Sequence, residues 1–120
     1  MFEKFVKPEL EASCNKLGRA IYHLDGRGQI IHLGSLLRIK KLDCVQWIPG
    51  EGSPDQTKWP EIYREIHSAG KKIQTTYGFD ALDAVIEQTG APGIIQQQTF
   101  YASITEEREV RKHLEKYQIV

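Results

Sequence analysis

The residues best suited to chemistry are His23 and Asp25, at the end of a short segment that predicts a strand over residues 19–24. Side chains two positions apart on an extended strand point to the same side, so the imidazole and the carboxylate would lie next to each other. Such a pair could bind a divalent metal or act as a general acid and base. Alternatively, His23 makes one hydrogen bond at the strand end while Asp25 forms a turn with Gly26. The residues alone leave both interpretations open.

A second candidate group follows the next predicted strand, over residues 43–48. Gln46 could hydrogen-bond a ligand, and Trp47 could form an apolar wall of the same pocket. A tryptophan that covers the strand end from within the core is the more common arrangement. Glu51, in the glycine-rich loop beyond, is a further candidate for substrate binding, although loop carboxylates of this kind are usually solvated. The loop is no phosphate-binding motif, because it lacks the lysine of a Walker sequence.

Tyr77 and Gln97 complete the candidate substrate-binding residues. Tyr77 ends the predicted third strand, where its phenol could reach a ligand, although packing against the core or a helix is the more common role. Gln97 is the middle one of three consecutive glutamines at the end of the predicted fourth strand. Because buried amides must be hydrogen-bonded, we expect at least one of the three to face a polar cavity or a loop.

Strand-like and helix-like segments alternate along the chain and would position these residues. A first helix is predicted over 8–17, with Pro8 near its first turn and Gly18 at its end, and Ser103 with Glu106 predicts a capping box at the start of the last helix. Predicted strands begin near residues 19, 43, 72 and 92, and each is followed by a helical pattern. This order predicts a single α/β domain over 1–120 with four parallel strand–helix units, in which ligands gather at the carboxyl ends of the strands. Four strands form either a small open sheet or half of an eight-stranded barrel. Half a barrel would need a partner for its unpaired edges and its open apolar face.

The composition limits the classes of partner and the cellular compartment that we expect for this protein. Sixteen basic and sixteen acidic residues cancel, so nothing indicates a nucleic-acid or membrane partner. The tight basic groups at 38–41 and 71–72 fall where helices should end, where we expect them to complement the helix dipole. Cys14 and Cys44 lack the spacing of a disulfide framework or a metal site, so both are interpreted as small buried residues in a reducing compartment. No segment is typical of a signal peptide or a membrane span, and the expected location is cytoplasmic.

Two motifs carry a family resemblance: Tyr22-His-Leu-Asp-Gly26, followed by leucines at 33, 36 and 37, and Gln46-Trp-Ile-Pro-Gly50-x-Gly52. They resemble the C-terminal portion of uroporphyrinogen decarboxylase-like proteins, near the corrinoid (cobamide)-dependent methyltransferases. The resemblance implies the C-terminal half of a TIM barrel, with a site at its C-terminal face. In the methyltransferase branch, a His-x-Cys-Gly segment supplies zinc ligands. Here Asp25 stands where that segment has cysteine. Zinc that activates a thiol is usually held by soft thiolate ligands, whereas histidine and aspartate are harder ligands.

Two hypotheses about function follow. In the first, the chain is part of an enzyme for methyl transfer involving a corrinoid or thiol cofactor, with His23 and Asp25 as catalytic residues or ligands of a divalent metal. The resemblance implies as partners a second copy, a complementary N-terminal half-barrel, or a corrinoid protein. In the second, the chain is a non-catalytic binding or assembly module, the truncated remnant of such an enzyme.

Overall fold

The computed structural model describes residues 1–76, 78–93, 95–97 and 103–118. A π-helical turn, Phe2–Val6, comes first, and short 3-10 segments cover Arg27–His32 and Gln56–Lys58. The α-helices are α1 (Lys7–Leu17), α2 (Leu33–Leu37), α3 (Pro60–Ser68), α4 (Gly78–Thr89) and α5 (Ile104–Glu115). The strands are β1 (Ile21–Asp25), β2 (Cys44–Ile48), β3 (Lys72–Thr76) and β4 (Ile95–Gln97).

The strands lie side by side in chain order, and every neighbouring pair is parallel. Three of them have five residues each, whereas β4 has only three. In register, His23 is paired with Gln46, and Gln46 with Gln74. This alignment sets which side chains meet across the sheet.

Successive side chains along each strand point to opposite sides of the sheet, and only one of these sides faces the core. Leu24, Val45, Trp47 and Ile73 are almost completely buried and form one cluster with buried residues of α1 to α4. The opposite side carries the alternate positions of the strands, none of which belongs to that cluster. We call this side the open face; its residues are Ile21, His23, Asp25, Cys44, Gln46, Ile48, Lys72 and Gln74.

The prediction of four strand–helix units resembling half of a TIM barrel is wrong, whereas the α/β class is confirmed. The structure has three full strands, and β4 adds only a three-residue ladder along β3. The predicted strand over 92–98 contains Gly93 and three glutamines, which have little apolar surface to bury and so extend a strand weakly. The unit after β1 also departs from the prediction, because it is a 3-10 segment followed by a five-residue helix.

The predicted helix ends are confirmed where the local signals are strongest. Pro8 lies in the first turn of α1, and Gly18 ends that helix with a φ of 73° that favours glycine. Ser103 and Glu106 form the predicted capping box of α5, each side chain bonded to the other's backbone N–H. No helix among the described residues is long and apolar enough to cross a membrane.

Asp43 joins the amino ends of three strands. Its carboxylate accepts a hydrogen bond from the Ala20 backbone N–H at 2.9 Å, and its own N–H donates to the Ala20 carbonyl at 3.0 Å. Its carbonyl accepts from the Lys72 N–H at 2.8 Å. One residue thus aligns the starts of β1, β2 and β3.

A polar cluster attaches the end of the chain to α4. The Asp83 carboxylate on α4 accepts hydrogen bonds from His113 at 2.8 Å, from Lys116 at 3.1 Å and from the Tyr117 hydroxyl. The His113 ring also stacks on Phe79, with ring centroids 4.0 Å apart. Partial burial of Asp83 opposes its ionisation, but the three hydrogen bonds outweigh this and hold its pKa below the usual value.

We expect Asp83→Asn to loosen α5 without unfolding the sheet, because the substitution removes the charge that His113 and Lys116 share. Backbone amides of α5 should exchange with solvent about fivefold faster, and amides of β2 should be unaffected. A carboxyl whose pKa is lowered by folding stabilises the folded state above its unfolded pKa, near 4. The wild-type attachment should therefore be lost as the pH falls below about 4.

Glu107→Gln is the matched control, since Glu107 forms an ion pair with Arg111 on the exposed side of the same helix. Equal exchange rates in the two variants, measured by NMR, would show that Asp83 does not hold α5.

Candidate functional site

His23 and Gln46 form the best-defined contact on the open face. Their Cα atoms are paired across β1 and β2, and His23 Nδ1 lies 2.6 Å from Gln46 Oε1. An amide oxygen only accepts, so Nδ1 carries the ring proton and donates it to Gln46. In the neutral ring, Nε2 then carries the lone pair, on the side away from Gln46, and can accept a hydrogen bond.

Asp25 lies beside the histidine, as their spacing predicts. Its Oδ2 is 3.8 Å from His23 Nε2, and the two side chains are 60% and 59% exposed. Solvent at this exposure screens most of any attraction between them. Gly26 follows with a φ of 82° and donates its N–H to the Ile48 carbonyl at 2.8 Å. Asp25 therefore precedes a turn, as the structural interpretation expects, and it also stands next to His23; its proposed role as an acid, a base or a metal ligand stays a prediction.

The other predicted site residues do not join this group. Trp47 is 1% exposed and lies on the core side, where its ring meets Trp59 edge-on at 5.2 Å. Glu51 is exposed in the loop after β2. Gln97 lies in β4, in register with Thr76, and Tyr77 lies outside the described residues.

A divalent metal does not fit the residues that the structure describes. His23 and Asp25 are two possible ligands, and no group of three His, Cys, Asp or Glu side chains converges anywhere in residues 1–76, 78–93, 95–97 and 103–118. Cys44 shares the open face, but burial and then the neighbouring Asp43 charge raise its thiol pKa to about 11. A neutral buried thiol is a poor metal ligand and a poor nucleophile. We therefore assign no step to a metal ion held by these residues.

Sequence reasoning missed two groups that only the tertiary structure brings together. The first is the Asp83 cluster, whose sequence signal is the spacing of four between His113, on α5, and Tyr117, just beyond the end of that helix. The second is a set of basic residues around a cavity of about 430 Å³ at the amino ends of the strands. A second cavity of about 440 Å³ lies along α1, and neither cavity contains His23 or Asp25.

The fold and the site define an α/β domain in which His23, Asp25 and Gln46 lie on the open face of a parallel sheet. Comparisons with models of protein families, with curated proteins and with solved structures found no match.

We expect Gln46→Leu to release His23 from a single tautomer, because the side chain that accepts the Nδ1 proton is gone. Nitrogen NMR shifts of the ring should move toward those of a free histidine, which favours the proton on Nε2. The change in free energy of unfolding should stay below about 0.5 kcal/mol, since the bond is solvent-exposed.

Asp25→Asn is the control, because at 3.8 Å its carboxylate makes no hydrogen bond with the ring. If the ring shifts are unchanged by Gln46→Leu, the hydrogen bond does not set the tautomer.

Proposed function

We propose that this chain is a binding and assembly module that acts through the open face, and that its partner is a second copy of itself. The observation that carries the proposal is the one-sided sheet. Parallel sheets are normally covered on both faces, because their strands connect through helices and bury apolar surface on each side. Here the core cluster covers one side, while Ile21, His23 and Asp25 on the other remain exposed.

The chemistry of the open face suits association with an identical surface. His23 Nε2 and the Asp25 carboxylate are acceptors, whereas the amide nitrogen of Gln46 and the ammonium of Lys72 are donors. A symmetric dimer requires that one patch carry both halves of each complementary contact. Ile21 and Ile48 add apolar area to the same patch, and Ile21 is 52% exposed.

Overall charge does not oppose such pairing. Basic and acidic residues are equal in number, so two copies approach without net repulsion. Both cysteines are free and buried, which is consistent with the cytoplasmic location that forms part of this proposal.

Methyl transfer, the activity that the resemblance implies, is the competing proposal. Its metal-dependent form needs at least three ligands at His23 and Asp25, and among the described residues no third His, Cys, Asp or Glu side chain joins them. The binding role uses the same residues as hydrogen-bonding groups and requires no further ligand. We therefore favour binding over catalysis.

Sedimentation velocity over a range of concentrations tests the proposal. The wild-type chain should form a dimer with a Kd on the order of micromolar, typical of a modest polar interface. Ile21→Glu should raise that Kd about tenfold or more, because it places two carboxylates in the contact.

Ile31→Glu is the matched control, since Ile31 is 80% exposed but lies on the 3-10 segment, away from the open face. A wild-type monomer at all concentrations, or equal effects of the two substitutions, would contradict self-association through this face.

A further inference from the structure

We propose that the basic cavity at the amino ends of the strands binds a small phosphorylated metabolite. The cavity holds about 430 Å³, within the range of pockets for small molecules. Four cationic side chains line it, and Asp43 is the one carboxylate among the lining residues; the cations are Arg19, Lys40, Lys71 and Lys72.

This concentration of charge is unusual for a chain whose formal net charge is zero. Asp43 offsets only one of the four positive charges, and its carboxylate is held at the start of β1 by the Ala20 N–H. The cavity therefore keeps a local surplus of positive charge, which attracts anions and holds them against a concave wall.

The expectation that these basic residues complement helix dipoles explains only part of the group. Lys71 donates to the Ile39 carbonyl at 2.7 Å, just beyond α2, as expected for a lysine at a helix end. Arg38 is engaged elsewhere, in an ion pair with Glu3 at 2.8 Å. In the part of the chain that the structure describes, Arg19, Lys40 and Lys72 have neither an ion-pair nor a hydrogen-bond partner for their side chains.

The remaining lining identifies the kind of anion. Arg19 offers a planar fork suited to two phosphate oxygens, and the lysines add point charges that tolerate several orientations. Ile21 and Leu42 contribute apolar wall, which inorganic phosphate would leave unused and a sugar or similar carbon skeleton would cover. The cavity thus matches a phosphate ester better than a bare phosphate ion.

NMR titration of the full chain at low ionic strength tests the site, with ribose 5-phosphate and inorganic phosphate as probes. We expect ribose 5-phosphate to shift amides at residues 19–21, 42–44 and 70–72, with a Kd below about 1 mM. Inorganic phosphate should bind about fivefold more weakly, since it lacks the part that covers the apolar wall.

Lys40→Gln should weaken ribose 5-phosphate binding about five- to tenfold, the effect of losing one charge-assisted contact. Lys41→Gln is the matched control, because Lys41 is exposed next to it and does not line the cavity. Its effect should stay below about twofold.

Equal losses in the two variants would overturn the proposal, since they would indicate diffuse attraction to a basic surface. Equal affinity for the two probes would also overturn the proposal, because the carbon skeleton of the ester would then gain nothing from the apolar wall of the cavity. A single-stranded RNA that binds more tightly than ribose 5-phosphate, and equally in both variants, would point to a nucleic-acid surface instead.

Discussion

Burial of one side of a parallel sheet against helices is the constraint on which the rest of this structure depends. Leu24, Val45, Trp47 and Ile73 must all point to the same side to meet the helices. Alternation then forces His23, Asp25 and Gln46 to the opposite side. The position of the candidate site therefore follows from the position of the core, and no additional structural feature is needed to expose the site.

The two proposed surfaces meet at the amino ends of the strands. Asp43 fixes those ends, and Ile21 and Lys72 belong both to the open face and to the cavity lining. Arg19 and Lys40 belong to the cavity alone, so anion binding and self-association can be altered separately. A ligand in the cavity would change the charge at the rim of the open face, which gives the two functions a physical route to influence each other.

Much of the fold could be predicted from local signals, because they report on single residues and their near neighbours. Pro8, Gly18 and the pair Ser103 and Glu106 marked helix ends correctly, and the alternation of elements identified the α/β class. The length of β4 could not be predicted, because a run of glutamines has no apolar period to define a strand. The spacing of His23 and Asp25 placed them together, but their contact with Gln46 depends on strand register, which the sequence leaves undetermined.

The most direct test of the one-sided sheet is the rate at which an introduced thiol is labelled, compared between Ile21→Cys and Ile73→Cys. Ile21 is 52% exposed on the open face and Ile73 is 1% exposed on the core side, and the native thiols at 14 and 44 are buried. Cys at position 21 should react quickly in dilute protein and about tenfold more slowly when the concentration exceeds the dimer Kd, while position 73 stays slow throughout. Slow labelling at position 21 in dilute protein would show that the face is covered within one chain. A fast rate that does not change with concentration would show that no second copy covers it.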